Sequence, residues 1–259
     1  MNKKEQRLSL LINHLKQNNA SSVRELSNLS AVSTMTIRRD LEELHKRDIV
    51  KFMHGGAIYN PDYNDQESQP NYLLQKQKTL YKDKKLKIAK KAVTLLSSQE
   101  TFMLDSGTTL YYLAQELPAD LPLTAICWSL NVITELIKKP LCNLISLGGV
   151  YHPETQMFES MQGMELIKNT RASKVFISAG GVHPQLGVTS PFHYETETKR
   201  VAIKYSMSKI LLVDSSKFGK VCTSHYGDVC DFDMVITDSS IPDEHRRFIQ
   251  DAGVELVIV

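Results

Sequence analysis

Apolar residues recur at helical spacing in the first thirty residues of the chain. Leu8, Leu11 and Leu15 lie three or four positions apart with polar residues between them, which predicts an amphipathic helix over residues 4–18. Ser22 is followed three residues later by a glutamate, and this capping-box pattern predicts that a second, shorter helix begins there. Two helices separated by a short polar break are therefore expected.

A third helix is predicted after the polar connection that ends at Ser33, which can cap it. Ile37, Leu41 and Leu44 form its apolar stripe. In a helix-turn-helix, the N-terminal residues of the recognition helix contact base edges and phosphates in the major groove of DNA. The DNA-contacting residues predicted on this helix are Ser33, Thr34, Met35, Thr36, Arg38 and Arg39.

Residues 49–59 have the pattern of a short β-ribbon, in which Gly55 and Gly56 permit backbone conformations that bulkier residues resist. Such a ribbon is the wing of a winged helix-turn-helix, and His54 in the wing is predicted to contact DNA. We therefore predict a winged helix-turn-helix DNA-binding domain over residues 1–59. The alternative is that three helices simply make a small core and the arginines form a solvated face.

The next segment is polar and contains Pro61 and Pro70, which predicts a linker over residues 60–75. A lysine-rich amphipathic helix is predicted after it. Its lysines either contact DNA or form a solvated face, and the pattern favours the solvated face. These lysines are Lys76, Lys78, Lys82, Lys84, Lys85, Lys87, Lys90 and Lys91.

From residue 100 onward, short apolar runs alternate with segments of helical spacing. Such alternation predicts an α/β domain over residues 76–259, with a mostly parallel sheet flanked by helices. Ligands of such domains bind in loops at the carboxyl ends of the strands. The runs predicted as strands are residues 101–104, 123–127, 142–147, 174–179, 209–213, 234–237 and 254–259.

One strand-end loop has the composition of a phosphate site. It reads Asp105-Ser106-Gly107-Thr108-Thr109, directly after the first of these strands, and opens the next helix. Glycine lets the backbone approach a ligand, the hydroxyls donate hydrogen bonds, and helix N-terminal amides favour an anion. We predict a phosphate-binding loop; an ordinary turn capped by Ser or Thr is the alternative.

Other strand-end loops carry the pairs Gly148-Gly149 and Gly180-Gly181 and the run from Asp214 to Gly219. Lys217 offers a positive charge to a phosphate, while Asp214 can accept a hydrogen bond from a sugar hydroxyl or hold the lysine. Each loop is also compatible with a plain surface turn. Their joint position after strands favours a binding site.

Composition and charge narrow the function classes. With 42% hydrophobic and 23% charged residues, the chain has the composition of an ordinary globular protein. Residues 1–56 hold ten Lys or Arg and six Asp or Glu, whereas the remainder holds 21 and 23, so attraction to DNA phosphates is concentrated in the N-terminal part.

The apolar runs are too short to cross a membrane, and the first residues lack the pattern of a signal peptide. We therefore expect a cytoplasmic protein with no membrane partner. The four cysteines lack the close paired spacing of metal or redox sites, so we expect neither a metal nor a cofactor.

Three segments of the N-terminal part resemble one family of bacterial regulators. They are Val23-Arg24-Glu25-Leu26, the run Val32-Ser33 with Thr36 to Leu44, and His54-Gly55-Gly56-Ala57. Together they are similar to the signature of DeoR-family transcription regulators. The resemblance implies a winged helix-turn-helix that binds operator DNA, followed by a sugar-phosphate-sensing domain. It also implies a repressor of carbohydrate metabolism that forms a homo-oligomer, a dimer or tetramer.

The larger domain resembles the sensor of the same family, which has a D-S-G-T-T loop, a Gly-Gly loop and a D-x-S-K-F-G loop. All three are present, and the segment from Glu195 to Arg200 is similar to the family's Glu and Lys/Arg segment. The resemblance implies a fold related to ribose-phosphate isomerases and coenzyme A transferases. The effector-binding residues expected are Asp105, Ser106, Gly107, Thr108, Thr109, Trp128, Gly148, Gly149, Glu195, Lys199, Asp214 and Lys217.

One position departs from the family pattern. After the second sensor strand the family commonly reads Thr-Asn-Ser-Leu, whereas this chain has Cys127-Trp128-Ser129-Leu130. Trp128 either lines the pocket, where an indole can stack on a sugar face or change which ligand fits, or packs in the core.

The leading hypothesis is a sequence-specific DNA-binding regulator, a repressor rather than an activator, that a phosphorylated sugar or related metabolite controls. The alternative, suggested by the sensor's resemblance to enzyme folds, is an isomerase or transferase-like enzyme that carries a DNA-binding arm. Residues of types that transfer protons are Asp105, Glu195, Glu197, Lys199, Asp214 and Lys217. A purely architectural DNA-binding protein is a third possibility and predicts no response to a ligand. We favour the regulator and expect no catalytic residues.

Overall fold

The computed structural model describes residues 3–46, 49–53, 55–60, 74 and 80–259. The helices are α1 (Lys3–Asn18), α2 (Val23–Ser30), α3 (Thr34–Lys46), α4 (Lys82–Val93), α5 (Thr108–Glu116), α6 (Leu130–Leu136), α7 (Met161–Asn169), α8 (Thr196–Tyr205) and α9 (Asp243–Asp251). The strands are β1 (Ala20–Ser22), β2 (Val50–Met53), β3 (Gly56–Tyr59), β4 (Glu100–Leu104), β5 (Leu123–Cys127), β6 (Cys142–Ser146), β7 (Val150–His152), β8 (Met157–Glu159), β9 (Ala172–Ser178), β10 (Gly181–His183), β11 (Gly187–Ser190), β12 (Ser206–Leu212), β13 (Ser224–Gly227), β14 (Met234–Thr237) and β15 (Glu255–Ile258).

Helices α1, α2 and α3 pack around a small apolar core. Leu11, Leu26 and Ile37 are fully buried in it, one from each helix. The predicted capping box opens α2: the Ser22 hydroxyl accepts a hydrogen bond from the amide of Glu25 at 3.2 Å, and the Glu25 carboxylate accepts one from the amide of Ser22 at 2.8 Å. The predicted start of the second helix is therefore confirmed.

The wing is part of a three-stranded antiparallel sheet in the order β1-β3-β2. The hairpin of β2 and β3 confirms the predicted ribbon, whereas β1, which joins α1 to α2, was not predicted. The predicted DNA contact His54 lies outside the described residues, as does the predicted linker apart from Asn60 and Leu74.

A two-pronged ion pair fixes α1 against α3. Nε of Arg7 donates to one carboxylate oxygen of Asp40 at 2.6 Å, and Nη2 donates to the other at 3.1 Å. Asp40 is only 2% exposed. Bidentate pairs of this kind constrain orientation as well as distance, so the pair sets how α3 faces outward.

The larger part of the chain is built on a seven-stranded parallel sheet in the order β15-β14-β12-β9-β4-β5-β6. Side chains alternate between its two faces. On β4, Met103 belongs to one buried cluster with side chains of α7, α8 and α9, whereas Phe102 and Leu104 belong to another with side chains of α4 and α5. Every strand of this sheet falls on a predicted apolar run, and the predicted α/β fold is confirmed.

Gly56 begins β3 at the point where the wing approaches β1 most closely. A Cβ atom at this position would lie 2.4 Å from the carbonyl oxygen of Ser21, which belongs to the backbone and cannot rotate away. Only glycine therefore permits the observed pairing of β1 with β3.

We expect Gly56→Ala to lower the free energy of unfolding of the N-terminal module by about 1–3 kcal/mol, the usual cost of an inserted carbon in a packed region. Gly148→Ala is the matched control, because nothing lies within 4 Å of a Cβ there. Urea denaturation measures both variants, and equal stabilities would contradict the prediction.

Candidate functional site

The N-terminal half of α3 presents a polar and basic surface. Ile37 faces the core, while Thr34, Met35, Arg38 and Arg39 are exposed, Met35 by 60%. Among the described residues neither arginine takes part in an ion pair. Both guanidinium groups are therefore available to phosphates or base edges.

The beginning of α3 is held by Ser33, whose hydroxyl accepts a hydrogen bond from the amide of Thr36 at 3.3 Å. The Thr36 hydroxyl lies 3.0 Å from the same oxygen. Ser33 is exposed and Thr36 is half-buried, so the structure brings the predicted residues of this helix onto one accessible face.

A second polar site is a cleft at the carboxyl ends of β4, β9 and β12. It is narrow, with a volume of about 20 Å³. One wall is the predicted loop before α5, another is the loop after β12, and the third comes from α4. The polar residues that line it are Lys85, Thr108, Thr109, Ser178, Asp214 and Lys217.

The loop before α5 brings a helix N-terminus to the cleft. Gly107 has a φ of 125°, and a Cβ atom there would lie 2.7 Å from the hydroxyl of Ser178. The first-turn amides of a helix have no partner within it and favour anions. The predicted phosphate loop therefore has the backbone geometry that its sequence indicates.

Two lysines give the cleft positive charge. Lys217 lies on the loop after β12, and Lys85 comes from α4. Lys85 is 2% exposed and donates a hydrogen bond to the carbonyl of Leu80 at 2.8 Å. Burial lowers the pKa of Lys85 to about 8; the carboxylate of Asp214 opposes this shift and the Lys217 charge adds to it.

The prediction that the lysines of this helix form a solvated face is wrong for Lys85, which is buried, and for Lys84, which is half-buried. Lys84 forms an ion pair with Asp238 at 2.9 Å and donates to the hydroxyl of Ser215 at 2.7 Å. A signal for Lys85 was present in the sequence, because it precedes Ile88 by three residues and so lies on the apolar stripe of its helix.

Asp214 has one satisfied and one unsatisfied carboxylate oxygen. Oδ1 accepts hydrogen bonds from the amide and the hydroxyl of Ser216. Oδ2 is buried and has no hydrogen-bond partner among the described residues. A buried acceptor without a partner is costly, so this oxygen favours a ligand that donates a hydrogen bond.

Asp105 and Lys199 lie beneath the cleft, bonded to each other. They are 0% and 1% exposed, and Lys199 donates to the Asp105 carboxylate and to the carbonyl of Ser178. Asp105 also accepts a hydrogen bond from the amide of Ser178 at 2.9 Å. The hydroxyl of Ser178 donates to the carbonyl of Ser106 at 2.7 Å. These predicted ligand contacts therefore hold the floor of the cleft together.

Glu195 is buried behind this pair and accepts a hydrogen bond from the hydroxyl of Ser190. Burial raises the pKa of Glu195 to about 7; the Lys199 ammonium opposes the shift and the Asp105 carboxylate adds to it. The side chain is consequently protonated in a substantial fraction of molecules near neutral pH.

Trp128 packs in the core, which corrects its assignment to the effector pocket. It is fully buried with Met103, Ile126 and Met157, and its indole N–H has no hydrogen-bond partner in the described part of the chain. The alternation of side chains along an extended backbone explains this position, because Trp128 follows Ile126 by two residues and shares its face.

Gly148 and Gly149 are exposed and follow β6, the edge strand of the sheet. Strand β5 separates β6 from β4, where the cleft lies. Gly149 packs instead against the backbone of Glu159: a Cβ atom on Gly149 would lie 2.1 Å from the carbonyl oxygen of Glu159. The structure does not bring these two glycines to the cleft.

Comparison with known proteins gives the family. A model described as the DeoR C terminal sensor domain matches residues 81–239, and one described as a DeoR-like helix-turn-helix domain matches residues 7–62. The chain belongs to the DeoR family of transcription regulators. The resemblance found in its motifs is confirmed.

Relatives that cover most or nearly all of the chain have names that indicate regulation. The deoxyribose operon repressor of Escherichia coli strain K12 is 32% identical over 255 residues, which is 98% of each chain. The transcriptional regulator GolR of Listeria innocua is 33% identical over 253 residues, again 98% of each. The lactose phosphotransferase system repressor of Staphylococcus epidermidis is 36% identical over 211 residues, 81% of this chain and 82% of that protein.

Solved structures are more distant. Ribose 5-phosphate isomerase A of Methanocaldococcus jannaschii aligns with a TM-score of 0.40 and 19% identity, over 53% of this chain and 54% of that one. This likeness carries no information about activity. Within the described ranges, no helix has both the length and the apolarity to cross a membrane.

We expect Glu195→Gln to flatten the pH dependence of stability. Glu195 has a pKa of about 7 in the folded protein but about 4.3 in an unfolded chain, so the folded state binds more protons between those values. The wild-type free energy of unfolding therefore falls as the pH rises through this window, by at most about 4 kcal/mol, whereas neutral glutamine has no such loss.

Urea unfolding at several pH values between about 4 and 8 measures this difference. Glu197→Gln, at an exposed position in the first turn of α8, two residues after Glu195, is the control and should retain the wild-type slope. A Glu195→Gln protein with that same slope would refute the prediction.

Proposed function

We propose that this protein represses a carbohydrate operon and that a phosphorylated sugar binds its α/β domain to change its affinity for operator DNA. The observation that carries the proposal is the cleft at the strand ends, where two lysines, a helix N-terminus and an unsatisfied buried carboxylate oxygen meet. An anion that also carries a hydroxyl group complements this set. The names of the relatives, a deoxyribose operon repressor and a lactose phosphotransferase system repressor, support it.

The phosphate is proposed to lie against the amides of Thr108 and Thr109, between Lys85 and Lys217, and a sugar hydroxyl is proposed to donate to Oδ2 of Asp214. Asp105, Lys199 and Glu195 support the floor of the site. Their burial and mutual pairing favour this supporting role over proton transfer to a substrate.

The DNA contact is proposed for the exposed face of α3, with His54 of the wing as a further contact. The excess positive charge of residues 1–56 supports this assignment. The module boundaries are proposed at residues 1–59 and 76–259. A homo-oligomer with twofold symmetry would bind half-sites about one helical turn apart, or a multiple of that distance.

We expect Arg38→Ala and Arg39→Ala each to weaken binding to upstream DNA of the regulated operon by roughly 5- to 150-fold, because each removes a contact worth about 1–3 kcal/mol. Fluorescence anisotropy at fixed salt measures the dissociation constants. Arg247→Ala, at an exposed position on α9, is the control. Wild-type affinity in both α3 variants would exclude α3 as the recognition helix.

Sugar phosphates should raise the thermal unfolding temperature of the wild type, since a ligand that binds only the folded state stabilises it by about 2.7 kcal/mol at 100 times its dissociation constant. Lys85→Gln should weaken binding at least about tenfold, because it removes a charged partner of the phosphate. Lys87→Gln, exposed on the same helix, should bind like the wild type.

A thermal-shift series over pentose and hexose phosphates checks this expectation, with each variant's melting temperature without ligand as its baseline. Equal shifts for Lys85→Gln and Lys87→Gln would remove Lys85 from the site. The absence of a shift with every sugar phosphate in the wild type would refute the effector class.

A further inference from the structure

The DNA-binding module docks on the sensor through the turn between α1 and α2. At this turn Asn19 donates a hydrogen bond from its side-chain amide to the carbonyl of Val221, at 2.7 Å. Ala20 and Ile58 of the module pack with Leu186 and Val221 of the sensor in a small buried cluster. The turn is therefore held by one polar contact and one apolar contact.

Glu25 forms a second tie. Its Oε1 lies 3.1 Å from Nε2 of His183, at the end of β10, while its Oε2 accepts from the amide of Ser22. Nδ1 of His183 accepts a hydrogen bond from the amide of Gln185 at 3.2 Å, so the ring proton is on Nε2 and points at Glu25. Burial opposes ionisation of Glu25, but the hydrogen bonds from His183 and Ser22 outweigh it and lower the pKa of Glu25 to about 2.

Both contacts involve residues 214–222, which we call the coupling segment: Asn19 bonds to it directly, and His183 follows a residue that bonds to it. Asp214 and Lys217, at its beginning, line the effector cleft. Val221, near its end, accepts the hydrogen bond from Asn19. Between them, the amide of Gly219 donates to the carbonyl of Val182 at 2.9 Å, directly beside His183 in the chain.

The coupling segment is packed tightly against β10. A Cβ atom on Gly181 would lie 2.3 Å from the carbonyl oxygen of Lys220, and Phe218 forms a parallel bridge with Val182. Close-packed elements shift together rather than deform continuously. A displacement of Lys217 would therefore shift both the Val221 carbonyl and His183.

We propose that Asn19, Glu25 and His183 are positioning residues through which the coupling segment links the effector cleft to the DNA-binding module. They hold the α1–α2 turn and the first turn of α2, and α2 in turn packs on α3. The proposal rests on the function proposed above, because it takes the cleft to be the effector site. Coupling between sites is reciprocal, so loosening the ties must also loosen the cleft.

Hydrogen–deuterium exchange of the full chain tests this linkage without DNA or a known effector. In His183→Asn the new amide oxygen can replace Nδ1 as acceptor, but the donor to Glu25 is lost; in Asn19→Asp the donor to Val221 is lost. The amides of Lys217 and Gly219 should exchange roughly tenfold faster in each variant, as expected for the loss of a charge-assisted or partly buried hydrogen bond.

The matched controls are His225→Asn and Asn18→Asp. His225 is exposed and faces Asp228 within the sensor, and Asn18 bonds to His14 within α1. Both controls should exchange like the wild type at Lys217 and Gly219. Wild-type exchange at these two amides in both His183→Asn and Asn19→Asp, with strands β4 and β5 protected as before, would overturn the proposal.

A second arm adds millimolar inorganic phosphate. If phosphate protects the coupling segment of the wild type, exchange in α2 should change as well, and this α2 response should be absent from both variants. The same α2 response in all three proteins would also overturn the proposal. Failure of phosphate to protect the segment counts against the proposed phosphate site alone, and the first arm then decides whether the coupling exists.

Discussion

The ion pair of Asp105 and Lys199 is the constraint on which the effector end of the molecule depends. Two buried charges are unfavourable unless they are paired and hydrogen-bonded, and here the backbone amide and the carbonyl of Ser178 complete the set. Since the three residues come from the end of β4, the end of β9 and α8, satisfying the charges fixes these elements relative to one another. Because Asp105 is the first residue of the loop before α5, this arrangement also fixes the orientation of that loop.

Much of this fold follows from local patterns in the sequence. The seven parallel strands coincide with apolar runs, and the capping box of Ser22 and Glu25 marks the start of α2, because burial and capping depend on neighbours within a few residues. Strand β1 was missed because three residues are too few to show a periodic pattern. Its partners in β3 lie 34 to 38 residues further along the chain. The shape of the loop from Asp105 to Thr109, a strand end that opens a helix, was predictable since all its parts are consecutive.

The rest of the candidate site depends on tertiary placement. Lys85 lines the cleft, although it lies on a helix whose many charges indicate an exposed surface. Trp128 lies in the core rather than in the cleft, because it is on the same face as Ile126 at the end of β5. Gly148 and Gly149 follow a strand, as expected, but that strand is at the edge of the sheet. Strand order is a long-range property, and it decides which strand-end loops become neighbours.

The two carboxylate oxygens of Glu25 contact residues of different modules. Oε2 accepts a hydrogen bond from the amide of Ser22 and so caps α2, whereas Oε1 pairs with His183 of the sensor. A single residue thus serves local helix stability and long-range docking at once. Replacing it disturbs both, whereas replacing His183 leaves the capping of α2 intact. During divergence of such regulators, substitutions that tune this contact are therefore expected on the sensor side, at His183, which can change without uncapping α2.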